Sequence, residues 1–487
     1  MRVRASLRRV FDYVIVGAGP AGCALANRLS ADPGVAVLLV EAGGWDSDPR
    51  IAMPMGFGAL LGDPAITWRF PTRQGEQWVR GRTLGGSSAI NGMVYNRGQP
   101  ADYDALGLPG WTWEELLPAF RAIEERMVGA HAGEDPLLED VIAAGGKLGW
   151  RRVCDVNESD GERIGYASAT IRDGRRVTAA DAFLHPVLDR PNLTLALNAV
   201  VDRVVFDGRR AVGVRGGGFE FAAREVVLAA GAIATPRILQ LSGVGPWEVL
   251  RAAGVDVVAD SPHVGARMRE HRVFMLQFRL AEDLGYNRLI SSGAAQREYE
   301  RSRRGPLAAP ASDLVAFFKT RPELDRPDAQ IQIAPYSFEH EPGMLCLGFG
   351  LRPDSEGSIR ITSADADAPL DIDPGHLGTE HDRAVAVGVV HAMRRLFATE
   401  PLASRIARET VSGEGPGYHA IGTCAMGVGD DDVVDARLRV RGVSHLRVVD
   451  ASVLPRMVAG NLAGPVAALG WRAAEVILEE AVGSSVV

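Results

Sequence analysis

Six residues near the start of the chain restrict its fold more than any others: Gly17-Ala18-Gly19-Pro20-Ala21-Gly22. They follow a short β-type run (Tyr13, Val14, Ile15, Val16) and open a stretch in which Ala21, Ala24, Leu25 and Leu29 recur at helical spacing. A second β-run, Val35 to Val40, ends on the acid Glu41. Strand, glycine turn, helix and strand make a β-α-β unit, so the sheet begins parallel and its crossover helix covers one face. In such a turn Gly17 permits the tight bend, Gly19 lets a diphosphate approach the backbone, and Gly22 lets helix and strand pack closely. The helix N-terminus stabilises the diphosphate charge, and Glu41 accepts hydrogen bonds from ribose hydroxyls. A G-x-G-x-x-G motif alone is weak evidence, but here strand, helix and acid all stand in place. The expectation is a dinucleotide-binding domain, against a glycine turn that only packs.

The nucleotide is expected to be FAD rather than NAD. Val226-Val227-Leu228-Ala229-Ala230-Gly231-Ala232 reads as the strand and glycine return that FAD enzymes place beside the same nucleotide. No second G-x-G-x-x-G followed by an acid is present, as a flavoprotein reduced by a nicotinamide nucleotide often has. A flavin reduced directly by substrate is therefore expected.

At 487 residues the chain exceeds one ordinary core, and two interlocked domains are expected. Its net charge of -8 gives no reason to bind nucleic acid or an anionic membrane, which need a concentrated basic face. Arg2, Arg4, Arg8 and Arg9 resemble the basic start of an export signal, but the apolar run that follows is broken by Asp12 and opens into the glycine turn. No apolar stretch reaches the roughly 18 residues of a membrane span. Cys23, Cys154, Cys346 and Cys424 are far apart with no Cys-x-x-Cys pair, which fits a reducing cytoplasm better than disulfides or zinc.

Further along, a helix is expected from Thr112, sheet from Leu193 to Val214, a buried strand from Glu225 to Ala229, and a long helix from Asp382 to Phe397. Between Leu314 and Ile361 the runs LVAFF, AQIQIAP, MLCLGFGL and GSIRIT alternate with turns, predicting a mixed or antiparallel sheet that forms a separate wall. After Tyr418 the glycine-rich, strand-like character of the beginning returns. The fold class is α/β: a Rossmann-like FAD-binding domain on a parallel sheet, with a substrate domain on a mixed sheet flanked by helices. The first takes 1-100, 178-270 and 415-487, and the second takes 101-177 and 271-414.

Four longer segments carry a family resemblance. Gly81 to Gly92 (GRTLGGSSAING), continuing through Tyr95, Gly98 and Asp104, resembles the first signature of the glucose-methanol-choline oxidoreductases. Gly231 to Pro236 and Ser242 to Gly245 resemble the second signature, and Tyr418 to Gly427 and Leu446 to Pro455 resemble the family's active-site segments. The segment from Asn96 to Trp113 is similar to the branch with aryl-alcohol and hydroxymethylfurfural oxidases and choline dehydrogenases. The resemblance implies that Gly86 and Ser87 hold phosphate and the flavin edge, and that Asn91, Gly92 and Val94 lie against the flavin ring. It also implies that Val201 contacts the adenine end and that Asp450 with Ala451 meets the ribityl-diphosphate. The plainer reading of Val201 is a strand core residue. Some members attach FAD through a histidine in the first signature. Ser88-Ala89-Ile90 contains none, so the FAD is expected to be non-covalent.

Oxidising an alcohol through a flavin requires loss of the hydroxyl proton and hydride transfer from the adjacent carbon to flavin N5. By resemblance His419 is the base, a role worth roughly a hundred- to ten-thousand-fold in rate. Asn461 occupies the family's second active-site position, where its amide orients the alcohol without titrating. The alternative is that Asn461 caps the helix running from about Pro465 to Leu478. Two departures stand out: Asn461-Leu462-Ala463-Gly464-Pro465 lacks the second asparagine of N-x-N-A-P, and the segment from Arg126 to Ala167 is short and lacks the usual His-Gly-x-x-Gly-Pro. The expected function is alcohol oxidation with O2 or another acceptor reoxidising FAD. The alternative is a non-redox lyase of the hydroxynitrile-lyase kind, and no metal is called for. Primary alcohols, aromatic or aliphatic, are the expected substrates. Phe317, Phe318, Tyr336 and Phe338 either line an apolar pocket or belong to the core.

Overall fold

Two seven-stranded sheets divide the protein. The computed structural model describes residues 10–129, 135–158, 160–339 and 341–484, so the arginines of the first nine positions lie outside it. The β-α-β unit forms as expected: strand Val10–Val16, helix Pro20–Leu29, strand Val37–Val40. The strands pair in parallel, Val14 opposite Leu38 on one side and Val226 on the other, and Val37–Val40 pairs onward with Leu193–Ala196. Val14, Ile15, Leu39, Val226 and Leu228 have no solvent exposure. Continuous apolar runs of this kind belong to a sheet covered on both faces.

The strand Phe219–Leu228 joins the two ends of the chain. Its first half pairs antiparallel with Arg210–Gly216, and its last residues pair in parallel with Leu446–Val448. The predicted strand Glu225 to Ala229 is only the second half. The first half alternates Phe219, Glu220, Phe221, Ala222, a half-buried pattern that extends the strand toward a hairpin. The C-terminal helix Ala463–Ser484 lies along Pro20–Leu29, with Gly470 so close that a Cβ there would come within 2.5 Å of the Ala21 Cα.

The second sheet is the predicted wall. In order it runs Ile406–Pro416, Arg272–Leu280, Gly343–Gly350, Ala329–Ala334, Leu314–Phe318, Arg163–Tyr166 and Arg151–Arg152, antiparallel except for the last pair. Helices Pro136–Lys147 and Glu380–Phe397 cover one face, where Ile331 and Ile333 pack with Val141, Val389 and Met393. Side chains alternate along a strand, so Gln330 and Gln332 point to the opposite face.

Two expectations need correcting, and one open alternative is decided. GSIRIT is not part of the wall: Ser358–Arg360 pairs with Asp371–Asp373 as a separate hairpin, with Ile359 packed against Trp78 and Met268. Helix Trp113–Met127, allotted to the second domain, packs Phe120, Ile123 and Met127 into the core of the first sheet. The four aromatics line no common pocket. Phe318 stacks on Trp150 in the outer core, Phe317 packs inward with Val94 and Phe349, Tyr336 donates to the Ala311 carbonyl, and Phe338 is exposed. Among the described residues no helix is long and apolar enough to cross a membrane.

Candidate active site

At the glycine turn the three glycines stand in different surroundings. Gly17 has φ 107°, and a Cβ on it would come within 2.5 Å of the Ala229 carbonyl oxygen. A Cβ on Gly22 would meet the Gly17 carbonyl oxygen at 1.9 Å. Gly19 differs, because a Cβ there would meet nothing within 4 Å. Gly19 also stands at the N-cap of Pro20–Leu29 without a side-chain cap, so the helix's first N–H groups are left for an external acceptor. Gly86 closes the other side, where a Cβ would lie 2.8 Å from the Gly19 Cα. An uncapped helix end facing open space between two glycine segments fits a diphosphate.

Glu41 is buried at the strand end, and its carboxylate accepts from the N–H groups of Ala18 and Gly43, each at 2.8 Å. Burial raises its pKa and these two donors oppose that shift. Glu41 therefore braces the turn, a function beyond the expected ribose contact. Ala199 N donates to the Glu41 carbonyl, so buried Val201 follows closely on a segment tied to this end. Val201 lies outside any strand. Asp450 is buried too. It accepts from Gly231 N at 2.9 Å, Thr235 Oγ1 at 2.6 Å and Ser452 N at 2.8 Å, binding the second glycine return to the C-terminal segment, with Ala451 half-buried beside it. Ser87 Oγ accepts from Gly81 N.

Between the two ends lies the segment Asn91 to Val94. Asn91 Oδ1 accepts from Arg176 at 2.8 Å and from Met93 N at 3.1 Å. The Arg176 guanidinium is buried and also donates to the carbonyls of Ile51, Ser88 and Asn91, so it fastens this segment from behind. Gly92 touches Ala311, and a Cβ there would lie 2.7 Å from that side chain. Val94 is buried with Phe349 and Ala459.

Phe349 leads to His419, its ring centroid 5.9 Å from that of the imidazole. His419 and Asn461 are brought together: Asn461 Nδ2 lies 3.3 Å from His419 Nε2. Two nitrogens at that separation can both contact one hydroxyl oxygen. The Asn461 side chain is not a helix cap, because its Oδ1 accepts from Asn96 at 2.8 Å, Gln332 at 2.7 Å and Gln330 at 3.2 Å. Behind His419 stands His271, whose Nδ1 is 2.9 Å from His419 Nδ1 and whose Nε2 lies 3.0 Å from the Leu351 carbonyl oxygen. Glu270 accepts from the backbone N–H groups of both His271 and His419. Tyr418, directly before His419, is held at φ 61° in the left-handed region, a strained placement for a side-chain-bearing residue.

Burial decides the electrostatics here. It pushes His419 well below the usual histidine range, aided by His271 and Arg80, and pushes His271 down to about 4. Burial thus favours the neutral form of both imidazoles. Burial lifts the Glu270 carboxyl to about 7, although Arg80, 3.8 Å away, works against the shift.

Asn96, Arg176, Glu270, His271, Gln330 and Gln332 were absent from the expected site. The glutamines left a signal: in Gln330-Ile331-Gln332-Ile333 the polar residues repeat on one face of a fully buried strand. Long buried side chains of this type need partners. The others left none, because the partners that draw them into the site lie far away in the sequence.

Residues 11–273 match the N-terminal part, and residues 353–470 the C-terminal part, of the GMC oxidoreductase family. The chain belongs to that family. An alcohol dehydrogenase [acceptor] of Pseudomonas putida is 34% identical, the match covering 97% of this chain and 96% of that protein. An oxygen-dependent choline dehydrogenase of Photobacterium profundum is 32% identical, over 97% and 94%. Among solved structures, pyridoxine 4-oxidase from Mesorbium loti superposes with a TM-score of 0.87 at 31% identity, covering 96% of this chain and 99% of that one.

Proposed function

We propose that this GMC oxidoreductase binds FAD without a covalent link and oxidises an alcohol to its carbonyl, with His419 as the base and Asn461 orienting the hydroxyl. The observation that carries the reading is the meeting of a buried His419, whose neutral form burial favours, with the Asn461 amide, so that both nitrogens can face one alcohol oxygen. FAD, when bound, accepts the two electrons and the hydrogen lost from the carbon. His419 Nε2 takes the hydroxyl proton, Asn461 Nδ2 donates to the same oxygen, and the apolar cluster of Val94, Phe317 and Phe349 keeps water from the site. Gly19, Gly86 and the free helix end hold the diphosphate, Glu41 and Val201 lie toward the adenosine, and Asp450 with Ala451 toward the ribityl chain.

The names alcohol dehydrogenase, choline dehydrogenase and pyridoxine 4-oxidase among the relatives support a CH–OH donor, and they divide between O2 and other acceptors. Primary alcohols, aromatic or aliphatic, are the proposed substrates. Four free cysteines support a reducing, cytoplasmic setting. The domain division is proposed along the two sheets, with the first boundary moved past Met127 because helix Trp113–Met127 packs on the first core.

The test is an anaerobic panel of alcohols watched for bleaching of the yellow flavin, followed by admission of air and a peroxide assay. Bleaching by an alcohol is expected, and acid precipitation should release the FAD into the supernatant. A flavin that stays oxidised with every alcohol while a cyanohydrin is cleaved would replace this reading with the lyase one.

A further inference from the structure

We propose that His271 is a positioning residue which sets the tautomer of His419, holding the proton on Nδ1 so that Nε2 remains free to act as the base. This rests on the reading of His419 as base, but the geometry argues it separately. The Leu351 carbonyl oxygen, 3.0 Å from His271 Nε2, can only accept a hydrogen bond, so Nε2 carries the His271 proton. A neutral imidazole has one N–H, which leaves His271 Nδ1 as a lone pair. That lone pair faces His419 Nδ1 at 2.9 Å, a distance at which one nitrogen must donate. The donor is therefore His419 Nδ1, and its Nε2 is unprotonated.

The other end of the chain of contacts agrees. Asn461 Oδ1 faces three side-chain amides, from Asn96, Gln330 and Gln332. The Gln332 and Asn96 NH2 groups, at 2.7 and 2.8 Å, fill the two lone pairs of this oxygen, with Gln330 the more distant third at 3.2 Å. The Asn461 NH2 consequently faces His419 and can only donate, which again requires a lone pair on Nε2. Five side chains and one backbone carbonyl thus specify a single proton position, with His271 the link nearest the base. The edge-on contact of the two rings, centroids 5.1 Å apart, keeps the nitrogens directed at each other.

The test compares wild type, His271→Leu and His271→Asn, all loaded with FAD and labelled with 15N-histidine. The His419 resonances are identified by their loss in His419→Ala. Wild type should show a pyrrole-type Nδ1 and a pyridine-type Nε2 on His419. His271→Leu, which removes the acceptor, should shift His419 toward the other tautomer and slow flavin reduction by roughly tenfold or more with FAD content unchanged. His271→Asn offers a carbonyl oxygen where Nδ1 stood, and should restore both the tautomer and most of the rate. A wild-type His419 protonated on Nε2 overturns the proposal even if His271→Leu does not fold. An unchanged tautomer in His271→Leu, or an Asn variant indistinguishable from Leu, overturns it too. A tautomer that switches in His271→Leu without any change in reduction rate leaves the positioning intact and instead removes His419 as the base.

Discussion

The nucleotide end and the catalytic end of this protein are held together by different means. At the glycine turn the geometry is backbone on backbone: Gly17 against Ala229, Gly22 against Gly17, and Gly86 against Gly19. At the catalytic end it is side chain on side chain, across separations of 365 residues for Asn96 to Asn461 and 148 for His271 to His419. A backbone contact tolerates no added atom. A side-chain network tolerates shape changes but loses function when a donor or acceptor is lost. Substitutions at the two ends should therefore fail in opposite ways, the first in cofactor retention and folding, the second in rate with the cofactor in place.

The largest effect is expected at Gly22. Its added methyl would stand 1.9 Å from the Gly17 carbonyl oxygen, so helix and strand must separate. Gly22→Ala should lose roughly 3 kcal/mol or more of stability and most of its FAD, as read by thermal unfolding and by the flavin-to-protein absorbance ratio. Retention of FAD with unchanged unfolding would show that this turn is more pliable than its contacts imply.

His419→Ala comes next and sharpens the contrast from the other side. It should keep FAD and lose at least roughly a hundredfold in flavin reduction. Asn461→Ala should lose less, about 1–3 kcal/mol of transition-state stabilisation, because orientation and not proton transfer is removed. Stopped-flow reduction under anaerobic conditions measures both. Equal losses in the two variants would mean that base and amide act as one unit, and wild-type reduction in His419→Ala would remove the base assignment.

The same contrast explains what could be read from the sequence. The first sheet was legible because apolar runs, a glycine turn and an acid at a strand end are local patterns with one structural solution. Of the wall only the three central strands Leu314–Phe318, Ala329–Ala334 and Gly343–Gly350 were legible, while Arg272–Leu280, Ile406–Pro416, Arg163–Tyr166 and Arg151–Arg152 were not, and Ser358–Arg360 joins another strand, which alternation alone does not reveal. His419 and Asn461 came from segment resemblance, not from physics visible in their neighbours. His271, Asn96 and Arg176 could not be found, since a buried polar residue is recognised by its partners and those lie on other elements. The carboxylates of Asp450 and Glu41 accept hydrogen bonds from Gly231 and Ala18, a bracing role that only the folded backbone reveals.

The smallest expected effect is the pH dependence, and its sign follows from burial. A histidine base works only when neutral, so flavin reduction falls as pH drops through the folded-state pKa of the base. For an exposed histidine that limb would lie near 6.5, the unperturbed value. Desolvation, with His271 and Arg80 adding to it, carries His419 well below this, so neutral His419 persists into acid and should itself cause no fall in reduction from pH 8 down past 6.5. Glu270 titrates near 7 and holds His419 through its backbone, so any inflection it causes should appear around neutrality and be lost in Glu270→Gln. The acid limb of His419 should survive that substitution, and should also survive Asn461→Ala, which removes no charge. Reduction rates of wild type and both variants across pH 5 to 9 test this, and a wild-type limb near 6.5 that persists in Glu270→Gln would mean that His419 is solvated and that the catalytic end is more open than its packing indicates.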